Sequence, residues 1–186
     1  MQRWSNRGYF LSHYWCFLGS THVDIYTGEV ESAYARVKGE WPRLVESMLP
    51  RSVQLIRIEA LHVRARAALA LAARGGADQA RLCREAERDA RKIEKEGTTY
   101  GTPLGRLVRA GVLHLRGDGA GAAALLDLAI AGFDATDMSL YAAAARYRRG
   151  TLNGDAAEVA AAEAWMREEG IRAPARMVGM FAPGLP

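Results

Sequence analysis

The sequence predicts an all-α fold, an α-solenoid of about four antiparallel helix pairs that ends in a short C-terminal capping helix. Gly-containing turns near residues 28, 75, 117 and 154 recur at intervals of roughly 35 to 50 residues, and each separates two Ala-rich amphipathic segments. Apolar residues recur at steps of three and four, and no strand-like alternation of any length is present. Because one hairpin cannot bury both apolar sides alone, neighbouring pairs are expected to share a core.

Length and composition predict one helical-repeat domain. The 186 residues include 49% hydrophobic residues, enough for a sizeable core, and only six prolines. We expect a single domain over residues 1–186, with helix pairs at about 9–47, 52–96, 103–133 and 139–169 and a cap at 173–181.

The first two pairs are predicted from helical spacing and turn residues. The aromatic-rich segment from Tyr9 to Tyr26 forms the first helix, and Pro42 marks a kink or a break in the second. The helix from Ser52 to Ala73 carries two apolar stripes, as expected for a helix sandwiched between neighbours. Asp78 is placed to cap the following helix.

The last two pairs follow from similar signals. Pro103 suits the first turn of the fifth helix, and the Gly117-Asp118-Gly119 turn leads into an Ala- and Leu-rich sixth helix. Asp137 or Ser139 is expected to cap the seventh helix, and Asn153-Gly154 separates it from the eighth.

Small residues near the start of the second helices, such as Ala33 and Ala122, favour close crossing within each hairpin. In this respect the chain resembles the tetratricopeptide repeat, in which small residues and an aromatic recur in a helix-turn-helix. The spacing of the turns is longer than the 34 residues of that family, and no single pair carries its whole signature.

Composition also bears on location and partners. Arg64 and Arg66 divide the longest apolar stretch, so we expect no membrane span. The N-terminal segment has no small-residue cleavage site, and Cys16 and Cys83 lack metal-site spacing, which favours two buried thiols in a reducing cytoplasm. A net charge of +4, from 25 basic and 21 acidic residues mixed along the helices, is too diffuse to indicate nucleic acid. The oligomeric state stays open.

Several local strings resemble the C-terminal helical-repeat region of large bacterial serine/threonine protein kinases, particularly those of myxobacteria. The resemblance implies a non-catalytic tail that recruits substrates or regulators of a kinase. The strings are Tyr26-Thr27-Gly28-Glu29, Trp41-Pro42 with Ser47, Arg51-Ser52-Val53-Gln54-Leu55-Ile56-Arg57-Ile58-Glu59, Ala164-Trp165-Met166, Gly170-Ile171, Pro174 with Arg176-Met177, and Ala182-Pro183-Gly184.

The motifs of a kinase catalytic domain are absent from the sequence, which has no Gly-rich phosphate loop, His-Arg-Asp or Asp-Phe-Gly. We therefore expect no catalytic residue, no cofactor and no metal. Two alternatives stay open. The chain is a partner- or ligand-sensing repeat domain of a transcriptional regulator, or it is a small all-α enzyme that uses Glu59 and His62, which share one helix face.

Basic side chains on the first helices of the pairs form the candidate partner site. In arrays of this kind these helices line the concave side, where guanidinium groups suit an acidic or phosphorylated protein segment. The alternative is an ordinary surface whose arginines lie over Ala-rich helices. The candidates are Arg57, His62, Arg64, Arg66, Arg106, Arg109, Arg116, Arg146 and Arg149.

Overall fold

The computed structural model describes residues 8–186 and is all-helical over that range, without a β-strand. The predicted all-α class is therefore confirmed, and so are the eight long helices and the C-terminal helix. Residues 1–7, which the expected domain includes, lie outside the described range. The helices are α1 (Leu11–Thr27), α2 (Val30–Glu46), α3 (Leu49–Ser52), α4 (Gln54–Ala72), α5 (Gln79–Lys95), α6 (Gly101–Leu115), α7 (Gly119–Asp134), α8 (Ser139–Asn153), α9 (Ala156–Glu168) and α10 (Pro174–Phe181).

Helices that follow one another in sequence pack against one another, and α4 also contacts α1, α2 and α6. The two predicted stripes of α4 are both used. Ile56 and Val63 pack in a cluster with residues of α1 and α2, whereas Ala65 and Leu69 pack in a cluster with residues of α5 and α6. Burial on both sides explains why α4 is apolar over most of its circumference.

Two predicted helix caps were wrong, and Pro42 does not break the second helix. Helix α2 runs from Val30 to Glu46 through Pro42, with Val37 and Leu44 buried on either side of it. The Asp78 side chain does not cap α5, because it accepts a hydrogen bond from Arg81 Nε. Helix α8 begins after Met138 without a side-chain cap, so neither Asp137 nor Ser139 performs that role.

The glycine and aspartate signals were more reliable at other turns. Gly28 and Gly154 end α1 and α8 in the left-handed conformation that glycine adopts without strain. The Asp118 carboxylate accepts a hydrogen bond from the Gly121 amide, and the Asp155 carboxylate accepts from the Ala157 and Glu158 amides in the first turn of α9. These caps fix the α6–α7 and α8–α9 hairpins.

The C-terminal segment turns back across the other helices. Helix α10 contacts α9, but it also packs against α1, α4 and α8. Met180 joins the apolar cluster that holds the buried residues of α1 and α2, while Ala182 and Leu185 join a cluster built from α6, α7 and α8. The expected terminal cap is therefore a segment that links distant parts of the chain.

Two further predictions concern burial and membranes. Cys83 is buried as expected, but Cys16 is exposed, because α1 directs its neighbours Phe17 and Leu18 inward. Within residues 8–186, none of the helices combines the length and the apolar character needed to cross a membrane.

Candidate functional site

The predicted basic residues do not share one open face. Four arginines, on α4, on α6 or directly after α6, form ion pairs with carboxylates on α5 or directly after it, and α5 packs against both α4 and α6. Each pair joins a first helix to a second helix, so its guanidinium group is already engaged within the chain. The pairs are Arg57–Glu96, Arg64–Asp89, Arg109–Glu94 and Arg116–Glu87, with N–O distances of 2.6, 2.6, 3.1 and 2.8 Å.

The candidates further along the chain are also engaged by neighbouring helices. Arg106 donates a hydrogen bond to the Leu128 carbonyl oxygen on α7 at 3.2 Å, and Arg146 pairs with Asp134 at 2.6 Å. The guanidinium of Arg149 contacts carboxylates on α7 and α9. These side chains stabilise contacts between helices, and a charge reversal at Arg106 or Arg109 would disturb such contacts as well as any partner.

The most enclosed of these ion pairs joins Arg64 to Asp89. Asp89 is 1% exposed, and both of its oxygens accept hydrogen bonds from Arg64 at 2.6 Å. The guanidinium also lies on the ring of Trp41, 3.4 Å from its centroid. This arrangement fixes α2, α4 and α5 relative to one another.

Arg66 and His62 lie in a different place, beneath the C-terminal segment. Arg66 is 1% exposed; its Nη1 donates to the Met180 carbonyl oxygen at 2.9 Å and its Nη2 lies 2.6 Å from His22 Nε2. Burial, with the positive charge of Arg66, lowers the pKa of His22 to about 3 and that of His62 well below its ordinary value. Both imidazoles are therefore neutral at pH 7.

The C-terminal segment is held through both its backbone and its apolar side chains. Arg148 donates hydrogen bonds to the carbonyl oxygen of Ala182, at 2.9 Å, and to the main-chain oxygen of Pro186. The ring of Phe181 meets that of Tyr141 edge-on, with centroids 4.5 Å apart. We call the surface that holds residues 174–186 the tail groove. It is defined by Arg66, Leu69, Gly111, Tyr141 and Arg148.

The geometry around Glu59 bears on the enzyme alternative. The hydroxyl of Tyr14 donates to Glu59 Oε2 at 3.0 Å, and the His62 ring is buried 5.8 Å from that of Tyr141. Within the described part of the chain, no group of three or more His, Cys, Asp or Glu side chains is placed to hold a metal ion.

A cavity between α2, α3, α4 and α5 has a volume of about 660 Å³. Trp41 and Leu61 contribute apolar surface, and Arg57, paired with Glu96, forms part of the wall. We call it the cationic pocket. Its lining residues are Trp41, Val45, Pro50, Arg51, Arg57, Ala60, Leu61, Lys92, Lys95 and Glu96.

Sequence reasoning found some of these residues and missed others. It identified Arg66 and Arg57, but it missed Arg148 and the cationic rim formed by Lys92 and Lys95. The spacing of Lys92 and Lys95 on one helix face was an available signal for the rim. The carbonyl acceptors of the tail have no sequence signal, because every residue carries a carbonyl group.

Comparisons with models of protein families, with curated proteins and with solved structures find no match.

Proposed function

We propose that this chain is a non-catalytic protein-interaction module with a regulatory role in the cytoplasm, built as a tetratricopeptide-like α-solenoid. The observation that carries the proposal is the tail groove, in which helices from distant parts of the sequence hold a short chain segment. Contacts that are directed at backbone carbonyl oxygens depend little on side-chain identity. A groove of this kind therefore suits a segment of another protein as well as the chain's own tail.

The tail groove combines two features of peptide-binding surfaces. Arg66 and Arg148 donate hydrogen bonds to carbonyl oxygens of the segment, and Leu185 packs in an apolar cluster, where it is only 7% exposed. Apolar burial supplies affinity, whereas the fixed guanidinium groups set the position and direction of the segment. In this proposal the tail occupies the groove until a partner segment displaces it.

A trans-binding experiment tests this proposal on the full chain. The double variant Phe181→Ala and Leu185→Ala weakens the tail by removing two apolar side chains, each of which is worth about 2 to 5 kcal/mol when buried. A fluorescein-labelled peptide with the sequence of residues 174–186 is then added, and binding is followed by fluorescence anisotropy. We expect the peptide to bind the variant and to bind the unaltered chain at least tenfold more weakly.

The control is Arg172→Ala with Arg176→Ala, which changes two exposed side chains of the same region. Circular dichroism shows whether each variant keeps its helices. If a helical double variant fails to bind the peptide at any concentration up to the millimolar range, the tail groove is not a peptide-binding groove.

We propose further that the parent protein is a bacterial serine/threonine kinase, with this chain as its tail. The support is the resemblance of the local strings, from Tyr26-Thr27-Gly28-Glu29 to Ala182-Pro183-Gly184. The alternative, a sensing domain of a transcriptional regulator, differs in what the gene encodes. Genomic sequencing upstream of Met1 distinguishes them, since a kinase catalytic domain supports the first and a DNA-binding helix-turn-helix supports the second.

Engagement of Glu59 by Tyr14 is the observation that weighs against the third alternative, a small all-α enzyme. A carboxylate that holds a phenol hydroxyl is less available as a general base. Metal-dependent hydrolysis that is lost on Glu59→Gln or His62→Gln substitution would restore that alternative.

A further inference from the structure

The cationic pocket has an apolar floor and a charged rim. Trp41 and Leu61 lie on the apolar side, and Val45, which is 41% exposed, extends it toward solvent. The volume of about 660 Å³ falls within the roughly 300 to 1,000 Å³ of ordinary ligand sites. The pocket is therefore large enough for one or two apolar side chains.

The rim carries positive charge that no carboxylate of residues 8–186 pairs with. Arg51, Lys92 and Lys95 are exposed, and none of them forms an ion pair with a carboxylate of residues 8–186. Arg57, the other arginine of the lining, is paired with Glu96. Three free cations around an apolar floor attract an anion that also carries an apolar group.

The pocket wall is fixed before any ligand arrives. Arg57 donates two hydrogen bonds to the Glu96 carboxylate, at 2.6 and 2.7 Å, and a third to the Pro50 carbonyl oxygen at 2.8 Å. Gln54 adds a hydrogen bond to the same carboxylate at 3.1 Å. The only acidic group of the lining is therefore held by partners of its own, which leaves the rim cations to act outward.

Apolar side chains beside the pocket are exposed in the same short region. The connection between α2 and α4 includes the pocket residues Pro50 and Arg51, and it also exposes Met48 and Val53, which are 65% and 39% accessible. Leu55, in the first turn of α4, is 49% accessible. Adjacent exposed apolar residues of this kind are typical of a surface that another protein covers.

We infer that the cationic pocket binds an acidic peptide segment that inserts an aromatic or aliphatic side chain against Trp41 while its carboxylates contact Arg51, Lys92 and Lys95. This inference rests on the proposed function, because it names the partner class of an interaction module. The inferred binding site includes Arg57 but none of the other basic residues predicted from the sequence. It shares no residue with the set that defines the tail groove.

A fluorescence anisotropy titration of the full chain tests the inference with a defined probe. The probe is a fluorescein-labelled peptide, Glu-Glu-Phe-Leu-Glu-Glu, and two further ligands are its Ala-Ala analogue and a 12-nucleotide single-stranded DNA. We expect saturable binding of the probe, at least fivefold weaker binding of the analogue, and weaker binding of all anions as salt is raised from 50 to 300 mM.

Charge reversal at the rim locates the binding site. Lys92→Glu with Lys95→Glu should weaken probe binding at least tenfold. The matched control, Arg172→Glu with Arg176→Glu, makes the same change in net charge at two exposed arginines outside the pocket and should change binding less than twofold. Circular dichroism and thermal unfolding show whether both double variants remain folded.

Three outcomes would overturn the inference. In the first, the probe does not bind. In the second, the two charge-reversal double variants reduce the affinity for the probe equally. In the third, the DNA binds as tightly as the probe and the Ala-Ala analogue binds as tightly as the probe. The last outcome would indicate general attraction of polyanions. Failure here is distinguishable from failure of the proposed function, because the trans-binding of the tail peptide does not involve Lys92 or Lys95.

Discussion

Arg66, in the middle of α4, donates a hydrogen bond to the carbonyl oxygen of Met180, 114 residues later in the chain, at 2.9 Å. The same guanidinium contacts His22 of α1 and lies 5.6 Å from the ring centroid of Phe181. One buried cation therefore links α1, α4 and the C-terminal segment. Its cost is desolvation, which lowers the pKa of Arg66, and the two contacts of its Nη atoms offset only part of that cost, because Nε has no hydrogen-bond partner among residues 8–186.

Replacing Arg66 by Met should release the C-terminal segment. The substitution keeps an apolar side chain but leaves the Met180 carbonyl oxygen and His22 without their donor, so we expect a loss of about 2 to 4 kcal/mol in the free energy of unfolding. Hydrogen exchange measured by mass spectrometry should show faster exchange in residues 174–186. Arg172→Met, at an exposed position, is the control and should change stability by less than about 0.5 kcal/mol. Unchanged exchange in the tail of Arg66→Met would contradict the role assigned to this side chain.

Removing the carboxylate partner of Arg64 should be more costly than removing Asp127, one of the two carboxylate partners of Arg149. Asp89→Ala leaves a largely buried guanidinium without its carboxylate, and we expect a loss of about 3 to 5 kcal/mol. Asp127 is 60% exposed in its ion pair with Arg149, so Asp127→Ala should cost no more than about 1 kcal/mol. Urea unfolding of both variants measures the difference. Equal losses would show that burial does not decide how much these ion pairs contribute to the free energy of unfolding.

Stability should fall as the pH is lowered from 6.5 toward 5. The pKa of His22 is about 3 in the folded chain and about 6.5 in an exposed imidazole, and that of His62 is also lowered. Between these values the unfolded chain binds protons that the folded chain does not, so the free energy of unfolding decreases by up to about 1.4 kcal/mol per pH unit for each histidine.

Urea unfolding at pH 7.5, 6.0 and 5.0 measures this dependence. Glu96, whose pKa Arg57 lowers to about 2, adds a loss of the same sign only as the pH approaches the pKa of an exposed glutamate, about 4.3, so the interval from pH 7.5 to 6.0 reports mainly on the histidines. His22→Gln removes one titrating group and should reduce the slope by about half. A slope that is flat in the unaltered chain would mean that the imidazoles are not held neutral.

The helices could be predicted from the sequence because their signals are local. The two apolar stripes of α4 indicated burial on both sides, and Gly28 and Gly154 marked real helix ends. The side chain of Asp78 failed as a predicted cap because Arg81, one turn later, provides a competing donor. Periodicity reports which face of a helix is covered, but it does not report which charged neighbour a polar side chain meets.

The candidate site could be predicted only in part for the same reason. In the sequence, Arg57 and Arg64 cannot be distinguished from a free surface arginine. Their carboxylate partners, Glu96 and Asp89, lie on α5 or directly after it. The return of the tail onto α4 was also hidden, because Met180 and Arg66 are far apart in sequence and the acceptor is a backbone carbonyl. Contacts of this kind depend on tertiary packing.

Two glycine substitutions should have opposite effects on stability. A Cβ at Gly111 would lie 2.6 Å from the Pro183 carbonyl oxygen and 2.7 Å from Leu69 Cδ2, so Gly111→Ala should displace the tail and destabilise the chain by about 1 to 3 kcal/mol. Gly39 lies in the exposed part of α2 with no atom within 4 Å of such a Cβ, and Gly39→Ala should stabilise the chain by about 0.5 to 1 kcal/mol. Thermal unfolding of both variants gives the signs, and hydrogen exchange shows whether only Gly111→Ala exposes residues 182–186. A neutral Gly111→Ala would mean that the tail does not approach α6 as closely as this contact requires.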